Sequence, residues 1–426
     1  MSKLNDLIAE LCPDGVEFKR LGEIAEIRRG GSFQKKDYVS SGFPCIHYGQ
    51  IYTSYGLFVT KTLNFISNVK AINQRKAVTN DIIMAVTSEN IEDVCKCVAW
   101  LGEGEIAVSG HTAIIHHSIN AKYLTYYFHS SMFYTKKLKL AHGTKVIEVS
   151  PSSLNEIKIP VPPLEVQREI VRILDTFTEL TAELTAELTA RKKQYEYYRD
   201  LLLTFDKTPT QFLQHSTAQH STAQHSSHVE FKTISSVADS FTGLTYKPTD
   251  KSDTGVLVLR SSNIKNSRLA FDDCVFVQMD KIPERTLAKE NDILICVRNG
   301  SKELIGKSAL IPRTEKQMAF GAFMTVLRAK PSINQKFLFY IWQSPIVQNK
   351  FHSDNAMPIN QITKTDFDLI KIPVPPLEEQ ERIVKILDRF DRLCNDLSEG
   401  LPAEIAARQK QYEYYRDKLL TFKEAD

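Results

Sequence analysis

Apolar residues between Leu164 and Phe205 fall in steps of three and four: Ile170, Leu174, Phe177, Leu180, Leu184, Leu188, Tyr195, Tyr198, Leu202 and Phe205. That spacing marks one face of a helix. The opposite face carries Glu169, Arg172, Glu179, Glu183, Lys193 and Glu196, and neither Pro nor Gly interrupts the run. At ~1.5 Å per residue such a helix extends roughly 60 Å, longer than a typical globular helix, so the pattern predicts a helical partner. The matching face lies in Leu377–Phe422, through Ile383, Ile386, Leu387, Phe390, Leu393, Leu397, Ile405, Tyr412, Tyr415 and Leu419. Gly400–Leu401–Pro402 breaks that second period, and a kink or short turn is expected there, with Gly closing one segment and Pro opening the next. The two stretches are expected to pack as an antiparallel coiled coil.

Outside these stretches the period changes. Met1–Glu156 and Val229–Leu369 mix short β-rich runs (Ile82–Val86, Ala113–His116, Ile293–Val297, Met324–Leu327) with turn signals and one helix-like stretch each, Tyr123–Leu138 and Phe337–Lys350. Each block reads as an α/β (α+β) domain. Between the halves, Lys207–His228 repeats STAQH and is polar and nearly uncharged, the composition of a flexible linker. Its four histidines, at 215, 220, 225 and 228, could bind a metal adventitiously, and no functional metal site is expected there.

The chain also repeats itself letter for letter. IKIPVPPLE stands at Ile157–Glu165 and at Ile370–Glu378, and VEFK stands at Val16–Lys19 and Val229–Lys232. Both pairs are 213 positions apart (370 − 157 and 229 − 16). QYEYYRD recurs at Gln194–Asp200 and Gln411–Asp417, and NDIIMAV at Asn80–Val86 is echoed by NDILICV at Asn291–Val297. Repetition on this scale makes the chain two tandem halves, related by a pseudo-two-fold, each a divergent block followed by a shared helical block. The expected segments are 1–156, 157–206, 207–228, 229–369 and 370–426. The proline run should end a strand and start a helix, since proline lacks the N–H and pre-sets φ.

Divergent loops on a shared frame are where recognition chemistry belongs. Three pairs align between the halves. RRGGSFQKKDY offers Arg28, Arg29, Ser32, Lys35 and Lys36 around a Gly-Gly turn, and its counterpart SFTGLTYKPTDK offers Lys247. IHYGQIYTSYG offers Tyr48 and Gln50, against Arg260, Asn263 and Lys265 of VLRSSNIKNSR. VTSEN offers Asn90, against Arg298, Asn299 and, just beyond, Lys302 in VRNGS and the residue after it. Arg, Asn, Gln and Ser read base edges, while Lys and backbone amides hold phosphates, so these residues are the candidates for contact with double-stranded DNA. Tyr197, Tyr198, Tyr414 and Tyr415 are candidates for binding a protein partner, with the seam of the helices as the competing use.

Composition narrows the classes. The chain has 426 residues, 42% apolar and 25% charged, with a formal charge of +3, too slight alone to demand a nucleic acid. No apolar run approaches a membrane span of ~18–20 residues, and the first residues do not resemble a secretion signal. The seven cysteines are scattered and reduced thiols are expected, hence a cytoplasmic protein; Cys95–Lys96–Cys97 reads as strand alternation rather than a metal site. PDGVEFK separates Asp14 from Glu17 by too little for a nuclease metal site, LGEGEIAVSG lacks the third glycine of a dinucleotide loop, and HHS at His116–Ser118 has no evident acid partner. No catalytic site and no metal site is indicated.

The two copies of IPVPPLExQxxIVxILDxF, the QYEYYRD helix ends and the alternation of variable and shared blocks together resemble the specificity subunit of Type I restriction-modification enzymes. The TAEL tandem at Thr181–Leu188 and the SEGLPAEI stretch resemble its C subgroup. The resemblance implies that each variable block is a target recognition domain for one half of a bipartite, asymmetric DNA sequence, and that the coiled coil fixes the gap between half-sites. It implies two modification subunits as partners, which bind S-adenosylmethionine and methylate adenine, and restriction subunits that use ATP and Mg2+. No cofactor is then bound by this chain. A stand-alone DNA-binding regulator and a coiled-coil adaptor are the rival readings.

Overall fold

The computed structural model describes residues 2–205, 229–352, 361–396 and 398–425. The STAQH linker with its four histidines, and Leu397 of the second helical face, lie outside them. Six helices frame the cores: α1 (Ser2–Leu11), α2 (Ala121–Phe128), α3 (Leu164–Leu203), α4 (Gln335–Gln343), α5 (Leu377–Asn395) and α6 (Leu401–Leu420). The expected long helix is therefore present as α3, and the break around Gly400 separates α5 from α6. Gly400 is required at that break: a Cβ there would lie 2.5 Å from the Arg392 carbonyl oxygen.

Two compact units emerge, and neither coincides with a tandem half. The first comprises Met1–Leu184 with Ile405–Asp426, the second Thr185–Glu404. The division passes through α3 inside the TAEL tandem and through α6 near its start.

In the first unit two five-stranded sheets form the frame. One runs Ala25–Arg29, Thr112–His117, Ile82–Ala85, Cys97–Trp100, Phe58–Val59; the other runs Tyr38–Val39, Asn64–Ile66, Phe43–Ile46, Ile106–Val108, Lys76–Ala77. Side chains alternate across a strand, and both faces of the first sheet are covered. Ile83 and Ala85 point to the second sheet, with Ile46, Ile106 and Val108, while Ile82 and Met84 join Tyr123, Leu124 and Tyr127 of α2. This is why Ile82–Ala85 is apolar throughout rather than alternating. Behind α2 lies the start of α3, with Ile170 and Leu174 fully buried, and α6 closes the same core through Tyr412, Leu419 and Leu420.

The second unit repeats the plan with four-stranded sheets. Ile293 and Ile295 face α4 and α5, and Leu294 and Cys296 face the second sheet. The end of α3 contributes Tyr195 and Leu203 to this core. Tyr198 stacks on Phe390 of α5 with ring centroids 5.6 Å apart, and Phe177 stacks on Tyr415 of α6 at 5.4 Å in the first unit. Arg191 and Lys192 lie near Cys394, further along α5 than Phe390, so α3 and α5 run antiparallel.

The helix-like stretch expected in each block is split. In the first, α2 closes at His129, and Ser130 caps the next helix, Ser131–Leu138, by accepting from the Phe133 amide. In the second, Ser344 closes α4 and Pro345, lacking an amide hydrogen, opens Pro345–His352.

The letter-for-letter repeats are contact partners. Phe18–Arg20 of the first VEFK region pairs antiparallel with Lys158–Pro160 of IKIPVPP, and Glu230–Thr233 pairs with Lys371–Val374. The polar letters of the shared motif do matching work. Gln167 accepts from the Asn120 amide ahead of α2 and donates to the Pro162 carbonyl; Gln380 does the same with Asn334 and Pro375. Asp175 receives Lys122 Nζ at 2.6 Å and Tyr126 Oη at 2.7 Å, and Asp388 receives Lys336 Nζ at 2.7 Å and Tyr340 Oη at 2.6 Å. Burial first, and the neighbouring carboxylate second, push the Tyr340 phenol far above its ordinary range, so it remains a donor. The repeated sequence thus welds each divergent block to its helix.

Candidate nucleic-acid interface

In each unit the same connections meet beyond one end of the two sheets. In the first they are the turn after Ala25–Arg29, the segment after Phe43–Ile46, the segment after Ile82–Ala85 and the tight turn Ser109–His111 before Thr112–His117. Gly31 N bonds the Val108 carbonyl and Tyr48 N bonds Ser109 Oγ at 2.9 Å, which draws the first two to the last. Gly30 is required there, since a Cβ would sit 2.0 Å from the Ser109 carbonyl oxygen. Thr87 Oγ1 lies 3.1 Å from His111 Nδ1, Tyr52 Oη donates to the Thr87 carbonyl at 2.6 Å, and Tyr48 packs between His47 and His111 with centroids 4.5 and 4.9 Å away. Burial, then the nearby Lys35 charge, brings the His47 imidazole down to about 4, so it is neutral at pH 7.

The second unit assembles the corresponding turns from different residues. Leu244 N bonds the Phe320 carbonyl, Gly321 N bonds the Leu259 carbonyl, and Asn299 Nδ2 reaches Ser261 Oγ at 3.1 Å. Where the first unit has Thr87 beside His111, the second has Arg298 with its guanidinium 5.7 Å from the centre of the Phe323 ring. Matching strand registers establish the equivalence, because Val86 N bonds the His111 carbonyl and Val297 N bonds the Phe323 carbonyl.

The sequence candidates divide by what the frame does with them. Gln50 and Asn263 occupy one equivalent position, and both are buried. Gln50 accepts from His47 N and donates to Asn64, while Asn263 accepts from Arg260 N and donates to the Ala270 and Asp273 carbonyls. These amides brace the turns and present nothing outward. Arg28 is held by Glu26 of its own strand, and Arg29 bonds the Gly110 carbonyl and Glu148. Arg260 pairs with Asp273 at 2.7 Å, and Lys265 pairs with Asp272 on a hairpin tied to α5 by Arg268–Asp391. Asn90 caps a turn through Asp93. Ser32, Lys35, Lys36, Lys247, Arg298 and Lys302 stay exposed, Tyr48 and Asn299 half so.

Sequence reasoning missed the Ser109–His111 and Gly321–Phe323 turns, which contribute His111 and Phe323. It also found no acid for His116. Asp81 is that acid, 2.6 Å from His116 Nδ1 and buried. The equivalent pair in the second unit is Asp292 with Arg328 at 2.7 Å, so the position is a strut between strands, not a catalytic dyad. Among the described residues no three His, Cys, Asp or Glu side chains group as metal ligands.

The tyrosines of QYEYYRD also divide. Tyr195 and Tyr412 are buried in the cores, Tyr198 and Tyr415 stack in the helix seams, and Tyr197 and Tyr414 project with 60% of their surface exposed.

Fold and site together define a duplicated recognition protein: two heads on one repeated frame, differing in the residues at their converging turns. Residues 13–191 and 226–407 match the family model of the Type I restriction modification DNA specificity domain, and the chain belongs to that family, with two copies in tandem. It is 34% identical over 287 residues to the EcoR124I/EcoR124II specificity subunit of Escherichia coli, covering 64% of this chain and 65% of that one. It is 27% identical over 346 residues to a putative type I restriction enzyme specificity subunit of Haemophilus influenzae, covering 75% and 77%. The fold is similar to a chain solved in a study of assembly and conformational transition of the type I R-M system (TM-score 0.61, 19% identity, 96% and 98% covered). It is also similar to the S subunit from M. genitalium (TM-score 0.52, 16% identity, 95% and 96% covered).

Proposed function

We propose that this chain is the non-catalytic DNA-reading subunit of a Type I restriction-modification complex, in which each head reads one half of a bipartite, asymmetric target. The observation that carries this is the contrast at one equivalent position: Thr87 with His111 in the first head, Arg298 with Phe323 in the second. A repeated frame that differs at its convergence point suits two independent readings of unlike sequences. The helices α3, α5 and α6 set the spacing between half-sites. Methyl transfer belongs to modification subunits that bring S-adenosylmethionine, and cleavage to ATP- and Mg2+-dependent restriction subunits, all in the cytoplasm. Exchanging Val229–Leu369 for the block of a relative is expected to replace one half-site and keep the other, read by mapping methylated adenines in DNA from cells expressing the complex. Change in both halves rules out independent heads.

A duplicated outward tyrosine invites two copies of one partner. Tyr197 and Tyr414 are the proposed anchors for the modification subunits, because truncating them removes exposed rings without opening a core. The variant Tyr197→Ala with Tyr414→Ala is expected to keep its melting temperature and to lose roughly 10-fold or more in affinity per docking site. Calorimetric titration with the modification subunit checks this.

A further inference from the structure

We propose that Arg298, braced on the ring of Phe323, reads a guanine in the half-site of the second head, and that the first head makes no equivalent contact. The inference rests on the DNA-reading function above and names the base chemistry of one of its sites.

Three observations converge on this residue. The first is its freedom. Arg260, Arg268 and Arg328 of the same unit are each tied to a carboxylate, Asp273, Asp391 and Asp292. Arg298 is exposed, and its guanidinium lies over the Phe323 ring.

The second is how firmly it is presented. The amides of Val297 and Arg298 both bond the Phe323 carbonyl, at 3.0 and 3.2 Å, and Ile362 N bonds the Val297 carbonyl from the other side. Arg298 also bridges antiparallel to Gln361. The backbone that carries the guanidinium is fixed between two neighbours. Phe323 itself is 58% exposed, an unusual position for a ring in a tight turn. A guanidinium resting on an aromatic face is held by the ring quadrupole and spends none of its N–H donors. Less side-chain entropy is then lost when those donors engage a ligand.

The third is place. Arg298 stands where the turns of the second head meet, at the position that Thr87 holds in the first. A planar fork of donors matches the O6 and N7 acceptors that guanine shows in the major groove. Thr87 is buried, its hydroxyl is engaged by His111 amid Tyr48, Tyr52 and the neutral His47, and Arg29, bonded to the Gly110 carbonyl of the same turn, is held by Glu148, the strand partner of Thr87. That cluster offers hydroxyl and imidazole groups, and its guanidinium is already tied to a carboxylate.

The test uses the full chain assembled with its modification subunits and a library of random-sequence duplexes, with methylated adenines mapped and affinity measured over a salt series. The wild-type complex first yields a bipartite consensus, and its failure to do so rejects the DNA-reading function itself. Given that consensus, Arg298→Ala is expected to lose at least ~10-fold discrimination at one G·C pair of one half-site, with the other half-site and the melting temperature unchanged. Arg298→Lys is expected to keep most affinity and lose most of that discrimination, since a point charge replaces the fork. Phe323→Ala should weaken the same position and no other. Uniform weakening on all sequences with a shallower salt slope makes Arg298 a phosphate contact and overturns the inference. So does an unchanged consensus, or a change confined to an A·T pair.

Discussion

Deleting one TAEL unit, Thr185–Leu188, is expected to cut methylation of the native target by roughly 100-fold or more, the order of cost that small misplacements of reacting groups carry. Targets with a shortened spacer should be methylated instead. Four residues contribute ~6 Å of rise and ~400° of turn, ~40° beyond a full rotation. One base pair of duplex contributes about 3.4 Å and about 35°. The rotation matches one base pair and the rise nearly two, so the tolerated spacer should shrink by one pair, at most two, with both half-sites unaltered. The helix should survive the deletion, because the remaining leucines keep a four-residue step along the seam and the other tandem residues are mostly exposed. Methylation mapped on duplexes of graded spacer length decides the matter; an unchanged spacer preference removes α3 as the ruler.

The second large effect concerns the weld. Asp388→Ala leaves the buried Tyr340 hydroxyl without its acceptor and Lys336 without its partner. A phenol bonded to a carboxylate is worth about 1.5–3 kcal/mol, and the half-exposed lysine adds at most about 1 kcal/mol. A loss of about 1.5–4 kcal/mol is expected, confined to the second unit. Asp175→Ala should act equally on the first, through Tyr126 and Lys122. Calorimetry should split one transition into two in either variant, with the unsubstituted unit melting as before. Loss of both units together from a single change would show that the welds are not local.

The letters IVxILDxF and PPLExQ were legible as a repeat and as a helix start, yet their polar members could not be assigned. Asp175 looks like any charge on a helix surface until Tyr126, 49 positions earlier, is seen to donate to it. A stronger signal was available in the recurrence of VEFK and IKIPV at one common offset, since segments that repeat together are candidates for pairing. Periodicity located α3 within two residues of its observed end, because a sustained apolar face is a local property. Residue type misled at Gln50 and Asn263, where an amide that could read a base instead holds a turn closed. The turns bearing His111 and Phe323 are too short to carry a pattern of their own, and only the sheet register brings them to the site. The compact units escaped sequence reading for the same reason: continuous helices α3 and α6 carry no mark where one unit ends and the next begins.

That interleaving dictates an order of maturation on the ribosome. Everything in the second unit has been synthesised once residue 404 is added, whereas the first still lacks Tyr412, Leu419 and Leu420, which fill its core. The head translated earliest is therefore sealed last, and until then the apolar floor that Tyr412, Leu419 and Leu420 cover stays open on the nascent chain.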